Sequence, residues 1–110
     1  METSETVIRA SDDIVTFINV LDVDPANQQK LVELLTEGTE KVMQYRPGFV
    51  SVNILASVDG TRVVNYAQWR SQDDIKATMS DPEAQDYARQ AGALAQAKPQ
   101  PYKVVSVHHA

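Results

Sequence analysis

The order of elements legible in the sequence is β-α-β-β-α-β, which predicts an α+β fold of the ferredoxin-like kind. That fold is a four-stranded antiparallel sheet with helices on one face. Three observations predict it. Four strand-like runs rich in β-branched residues are separated by two helical regions with buried stripes. The two middle runs flank an Asp-Gly pair, a strong hairpin signal. Two Asp-Pro pairs, Asp24-Pro25 and Asp81-Pro82, each supply an N-cap and a first helical residue.

The elements follow in order. Ile14–Val23 is apolar at both parities and reads as a strand. After Asp24-Pro25, the residues Leu31, Leu34, Leu35, Gly38, Val42 and Tyr45 recur at helical spacing, with Glu37 and Lys41 paired outside. Pro47-Gly48 ends that helix. Phe49–Ser57 and Arg62–Trp69 are the hairpin strands around Val58-Asp59-Gly60-Thr61. Ser71 with Asp74 opens a short helix carrying Ile75 and Met79. A second stripe, Ala84, Tyr87, Ala88, Ala91, Leu94 and Ala95, is small in volume, and Gly92 on it suggests close helix approach. Pro99 and Pro101 stop that helix, and Tyr102–His108 is expected to be the last strand. Residues 1–12 are expected to be a flexible tail before a single domain over 13–110. Strands one, two and four carry apolar residues at both parities, as in Val15 and Ile18, so both sheet faces want covering. The helices cover one, nothing else in the chain is available for the other, and a second copy is expected to supply it.

Composition narrows the function. The 110 residues are 43% hydrophobic and 23% charged, with a net charge of −5 and no cysteine. An acidic chain argues against nucleic acid and anionic membrane surfaces. Lack of cysteine removes disulfides, thiolate metal sites and a cysteine nucleophile. No run is long enough to span a membrane, and the polar, acidic start is not a secretory signal, so a cytoplasmic protein is expected. The only histidines, His108 and His109, point to opposite faces of a strand end and do not chelate one metal. No nucleotide, P-loop, zincin or nucleophile-elbow motif is present. Neither a metal nor a cofactor is expected. The carboxylate pairs Asp12-Asp13 and Asp73-Asp74 read as solvated or capping charge.

One ordered set of residues carries more. It comprises Arg46-Pro-Gly-Phe-Val-Ser-Val-Asn53, Ser57-Val-Asp-Gly-Thr-Arg-Val-Val-Asn-Tyr-Ala-Gln-Trp-Arg-Ser71, Asp81-Pro82-Glu83-Ala84 and Val104-Val-Ser-Val-His108. Over residues 14–109 the chain resembles the antibiotic biosynthesis monooxygenase family, and within it the oxygenases that turn anthrone-type polyketides into quinones without a cofactor. The resemblance implies a dimeric α+β barrel, and a site between sheet and helices that takes a phenolic, anthrone- or quinol-like aromatic and molecular oxygen. It places the site asparagine and tryptophan at Asn65 and Trp69. Four residues apart on a strand, they share a face and lie about 13 Å from each other. Tyr87 stands near a common family histidine and is the expected proton-transfer substitute, although a tyrosine with an ordinary pKa near 10 needs a downward shift to act as a base. Asn19 and Asn53 are further candidates for substrate contact. The chain departs from the subgroup at Ile75, where a tyrosine is usual, at Leu55, where some carry histidine, and around Ala88 and Arg89, where an arginine is usual. Leu55, Ile75 and Arg89 are retained as expected substrate contacts. The parity of strand two stays open: a two-residue turn pairs Asn65 with Ile54, a three-residue loop with Asn53. Two other functions were weighed. Haem degradation needs an axial histidine, and residues 70–98 have none. A non-catalytic binding or pathway-helper protein is the alternative to the oxygenase.

Overall fold

The computed structural model describes residues 4–10 and 13–110. Of the expected tail, residues 1–3 and 11–12, Asp12 among them, lie outside the described residues. The elements are β1 (Val15–Val23), α1 (Gln28–Lys41), β2 (Phe49–Ala56), β3 (Arg62–Trp69), α2 (Gln72–Met79), α3 (Pro82–Leu94) and β4 (Ala95–Tyr102). The four strands form one antiparallel sheet in the order β2-β3-β1-β4. This is the predicted ferredoxin-like arrangement. No helix among the described residues is long and apolar enough to cross a membrane.

Local chemistry explains the boundaries. Asp24 accepts a hydrogen bond from the Ala26 amide and opens a single 3-10 turn, Pro25–Asn27, ahead of α1. Ser71 Oγ accepts from the Asp74 amide at 3.1 Å and caps α2, and Asp81 caps α3 through the amides of Glu83 and Ala84. At the hairpin, the Asp59 carboxylate accepts from the Thr61 amide, the Thr61 hydroxyl and the Ser57 hydroxyl, which hold its pKa down to about 2. Gly48 has φ of +84° and lies so close to α2 that a Cβ would run into the Asp74 carboxylate. The core lies between sheet and helices. Leu21, Leu31 and Val63 are fully buried at one end, while Ala67, Trp69 and Ile75 pack at the other.

Three expectations need correction. The last strand is Ala95–Tyr102, directly after α3, and residues 103–110 have no regular structure. Prolines mark a helix stop in the sequence, yet β4 is an edge strand, where a missing N–H is tolerated. Tyr45 is 71% exposed, because α1 ends at Lys41 and the chain turns through Met43–Tyr45 in 3-10 form before Pro47. The outer sheet face is also not wholly left to a partner. Residues of the 4–10 segment lie against it: the Val7 carbonyl accepts from Gln68 at 2.9 Å, and Thr6 bonds Asn53.

Candidate active site

Register determines which side chains meet. Asn19 pairs with Asn65 and Phe17 with Ala67 across β1 and β3, so these residues share the helix-facing side with Trp69. Ile54 pairs with Asn65, which is the pairing of the tighter turn. A bulge at Phe49–Ser51 adjusts the start of β2. Val52 and Ile54 therefore face the helices, while Asn53 and Leu55 face the other way.

Between this face and α1 and α3 lies a cavity of about 330 Å³. Its floor includes Asn19, Asn65, Ala67 and Trp69, and its roof includes Leu35, Gly38, Thr39, Tyr87 and Ala91. The volume sits within the range of small-molecule sites. A larger groove of about 470 Å³ between Lys30, Glu33, Glu37 and Gln90 is shallow and on the outside of α1 and α3, away from these residues.

Polar groups in the cavity are few and specific. Asn19 and Asn65 are directly opposite on adjacent strands, which brings their Cβ atoms to about 4.5–5.5 Å. Asn19 Oδ1 accepts from the Lys98 backbone N–H at 3.0 Å. That bond fixes the orientation of the amide and leaves its NH₂ as the free donor. Asn65 Oδ1 is buried with no hydrogen-bond partner among the described residues. A buried amide oxygen left unpaired costs free energy, and a ligand hydroxyl would satisfy it. Trp69 is 3% exposed and edge-on to Phe49, with ring centroids 5.6 Å apart. Its aromatic body walls one end of the cavity.

Tyr87 lines the roof, and its ring is seated on Gly38, where a Cβ would meet Tyr87 Cγ at 3.1 Å. Burial, followed by the charge of Glu37 and a hydrogen bond to it, raises the Tyr87 pKa above 10. Lys41, 3.0 Å from Glu37, keeps that carboxylate ionised and its pKa lowered. These surroundings favour the neutral phenol over the phenolate. It is the only titratable residue among those lining the cavity.

The other expected contacts do not reach the cavity. Asn53 is on the outer face, where its amide donates to the Tyr66 carbonyl and to Ser51. Leu55 is 52% exposed on that same face. Ile75 is buried against Trp69 and Ala67 as core. Arg89 is on the surface and pairs with Asp86. Thr39 and Met43 line the cavity without having been singled out from sequence. Both fall on the cavity-facing side of the α1 region, and only the helical stripe could have pointed to them.

Comparison with known proteins decides the family. The family model for antibiotic biosynthesis monooxygenases matches residues 14–90. The chain belongs to the antibiotic biosynthesis monooxygenase family. It is 40% identical over 92 residues to the tetracenomycin-F1 monooxygenase of Streptomyces glaucescens, covering 84% of this chain and 82% of the relative. Among solved structures, the monooxygenase ActVA-Orf6 of Streptomyces coelicolor, in complex with nanaomycin D, is 32% identical with a TM-score of 0.78. That match covers 87% of this chain and 91% of ActVA-Orf6. SnoaB, a cofactor-independent oxygenase from Streptomyces nogalater, superposes with a TM-score of 0.71 at 23% identity, covering 87% and 97% of the two chains. At that identity the likeness shows the shared fold alone. As a member of this family, similar to a curated monooxygenase over most of its length, the chain is an enzyme of the monooxygenase class.

Proposed function

We propose that this enzyme oxidises a phenolic, anthrone- or quinol-like aromatic with molecular oxygen and without a cofactor, in the cavity between sheet and helices. The observation that carries the reading is the unpartnered Asn65 Oδ1 beside the free Asn19 NH₂, on the floor of a largely apolar, flat-ring-sized space. An acceptor next to a donor suits a substrate oxygen that begins as a hydroxyl and becomes an oxyanion. The tetracenomycin-F1 monooxygenase and ActVA-Orf6 likenesses support the substrate class.

The chemistry asks little of the protein. An anthrone-type carbon loses a proton to give an anion delocalised over the rings. The anion donates its electrons to O₂ and a C–O bond forms, giving a hydroperoxide. The O–O bond then breaks. One oxygen stays as the new carbonyl and the other leaves as water, with both hydrogens coming from the substrate. Asn65 Oδ1 would accept from the substrate hydroxyl. As charge develops on the ring oxygen, the Asn19 NH₂, and the Asn65 NH₂ once that amide turns over, would donate to it, and the dry cavity strengthens those bonds. With no carboxylate or imidazole in the cavity, the first proton goes to solvent or to the reduced oxygen. Oxygen uptake with an anthrone tests the reading. Consumption at the uncatalysed rate would reject it.

Dimerisation through the outer sheet face is proposed as well. The half of that face around Ile18 and Val20 is only partly buried, and Val105, in the segment that leaves β4, is 86% exposed. Light scattering should give about 24 kDa, twice the 12.2 kDa of one chain. A folded species of single-chain mass would reject it.

A further inference from the structure

Five residues lining the cavity are open to solvent: Met79, Ala88, Gly92, Ala97 and Pro99. All five belong to the last turn of α2, to α3 or to β4. The lining residues of α1, β1, β2 and β3 are buried or half-buried. The cavity therefore opens on one side, along the slot between α3 and the free edge of the sheet.

Gly92 stands on the lip of that slot without a local reason to be glycine. It lies inside α3, where glycine is among the poorest residues for helix formation. Its φ is not in the left-handed region, so it does not end the helix as a cap. A Cβ on it would meet nothing within 4 Å, which corrects the expectation of close helix approach. Gly38 differs, because there the Tyr87 ring occupies the space. What a small residue at position 92 preserves is the opening itself. Ala88 is one turn earlier on the same side of α3. On the facing lip, Pro99 has no N–H to detain a passing polar group.

We infer that Gly92, with Ala88, sets the width of the port through which a flat aromatic enters this cavity edge-on. The inference rests on the cavity being the substrate site proposed above. It is a specificity and access role, separate from the groups that would touch the reacting atoms.

The test is anaerobic stopped-flow quenching of Trp69, the only tryptophan, by 1,8-dihydroxyanthrone. Gly92→Leu should slow both association and dissociation by about tenfold, leaving Kd within about threefold, since a narrowed port changes rates more than the bound state. Gly92→Gln, a good helix former with a long side chain, repeats the test if the leucine variant does not fold. Gly92→Ala should keep both rates within about twofold and raise the Tm by about 4 °C through helix propensity alone. Ala93→Leu, on the same helix but outside the cavity, should bind at the wild-type rate. Wild-type rates in the leucine and glutamine variants would overturn the port, as would equal slowing by Ala93→Leu. Absence of any quenching in the wild type would overturn both the port and the oxygenase reading. Slowed binding in a protein that consumes no oxygen would keep the port and reject only the oxygenase.

Discussion

At Asn65 the costs to folding and to catalysis separate. Its buried Oδ1 has no partner, so Asn65→Ala removes an unpaid desolvation penalty rather than a hydrogen bond. Its Tm should stay within about 2 °C of wild type, while kcat falls on the order of 10²-fold if the amide holds a developing oxyanion. A thermal melt beside an oxygen-uptake assay checks both. Trp69→Phe should lower turnover comparably, but with about 1–2 kcal/mol lost from the core, since the ring is 3% exposed and packs on Phe49. Tyr87→Phe should leave turnover within about threefold if the phenol, whose pKa is raised by burial and by Glu37, stays neutral and the substrate proton goes elsewhere. The rate should instead rise with pH as the substrate's own proton ionises, and Tyr87→Phe should not move that limb. A collapse of the rate in this variant would return the proton to Tyr87. The cavity-facing positions of Asn65 and Trp69 were legible because a spacing of four on a strand forces one face. Asn53 and Leu55 were not, since one residue of slip in the hairpin exchanges the faces of β2, and the slip is decided by how Asp59 and Gly60 close the turn.

Among the elements, turns and caps were the most readable and the edge strand the least. Asp59 folds the hairpin by accepting three hydrogen bonds, and its pKa of about 2 lies below the ordinary 3.8. A depressed pKa contributes stability that is present above the ordinary value and lost as pH falls through about 2. Asp59→Asn should therefore flatten the acid limb of a stability-against-pH curve between those values, and an unchanged limb would contradict this. Ser71→Ala deletes the α2 cap and should cost about 1 kcal/mol, read as a Tm lower by about 4–8 °C. Both motifs are short and local, so their residues announce them. β4 is held by pairing with β1 across about 80 residues of chain, for example Asn19 with Pro99. Nothing local in Ala95–Tyr102 encodes that pairing, whereas the valines after Tyr102 carry strand propensity and no strand partner among the described residues.

For the whole molecule, the sheet floor supplies two amides and an indole, the helices supply an apolar roof, and the slot beside β4 supplies access. The β-α-β-β-α-β order was legible because its alternation of period-two and helical patterns survives the misplaced last strand. The cavity was not, since it depends on which small residues of α3 fail to fill the space above the sheet. In the proposed reaction the substrate's own electrons reduce the oxygen. The direct measurement is oxygen consumption by metal-stripped protein in the presence of EDTA, with 1,8-dihydroxyanthrone and no added flavin, haem or metal. One O₂ consumed per anthrone converted to quinone, at a rate unchanged by the chelator, is the predicted result. Uptake no faster than in protein-free buffer, or uptake restored only by an added metal or flavin, would contradict it.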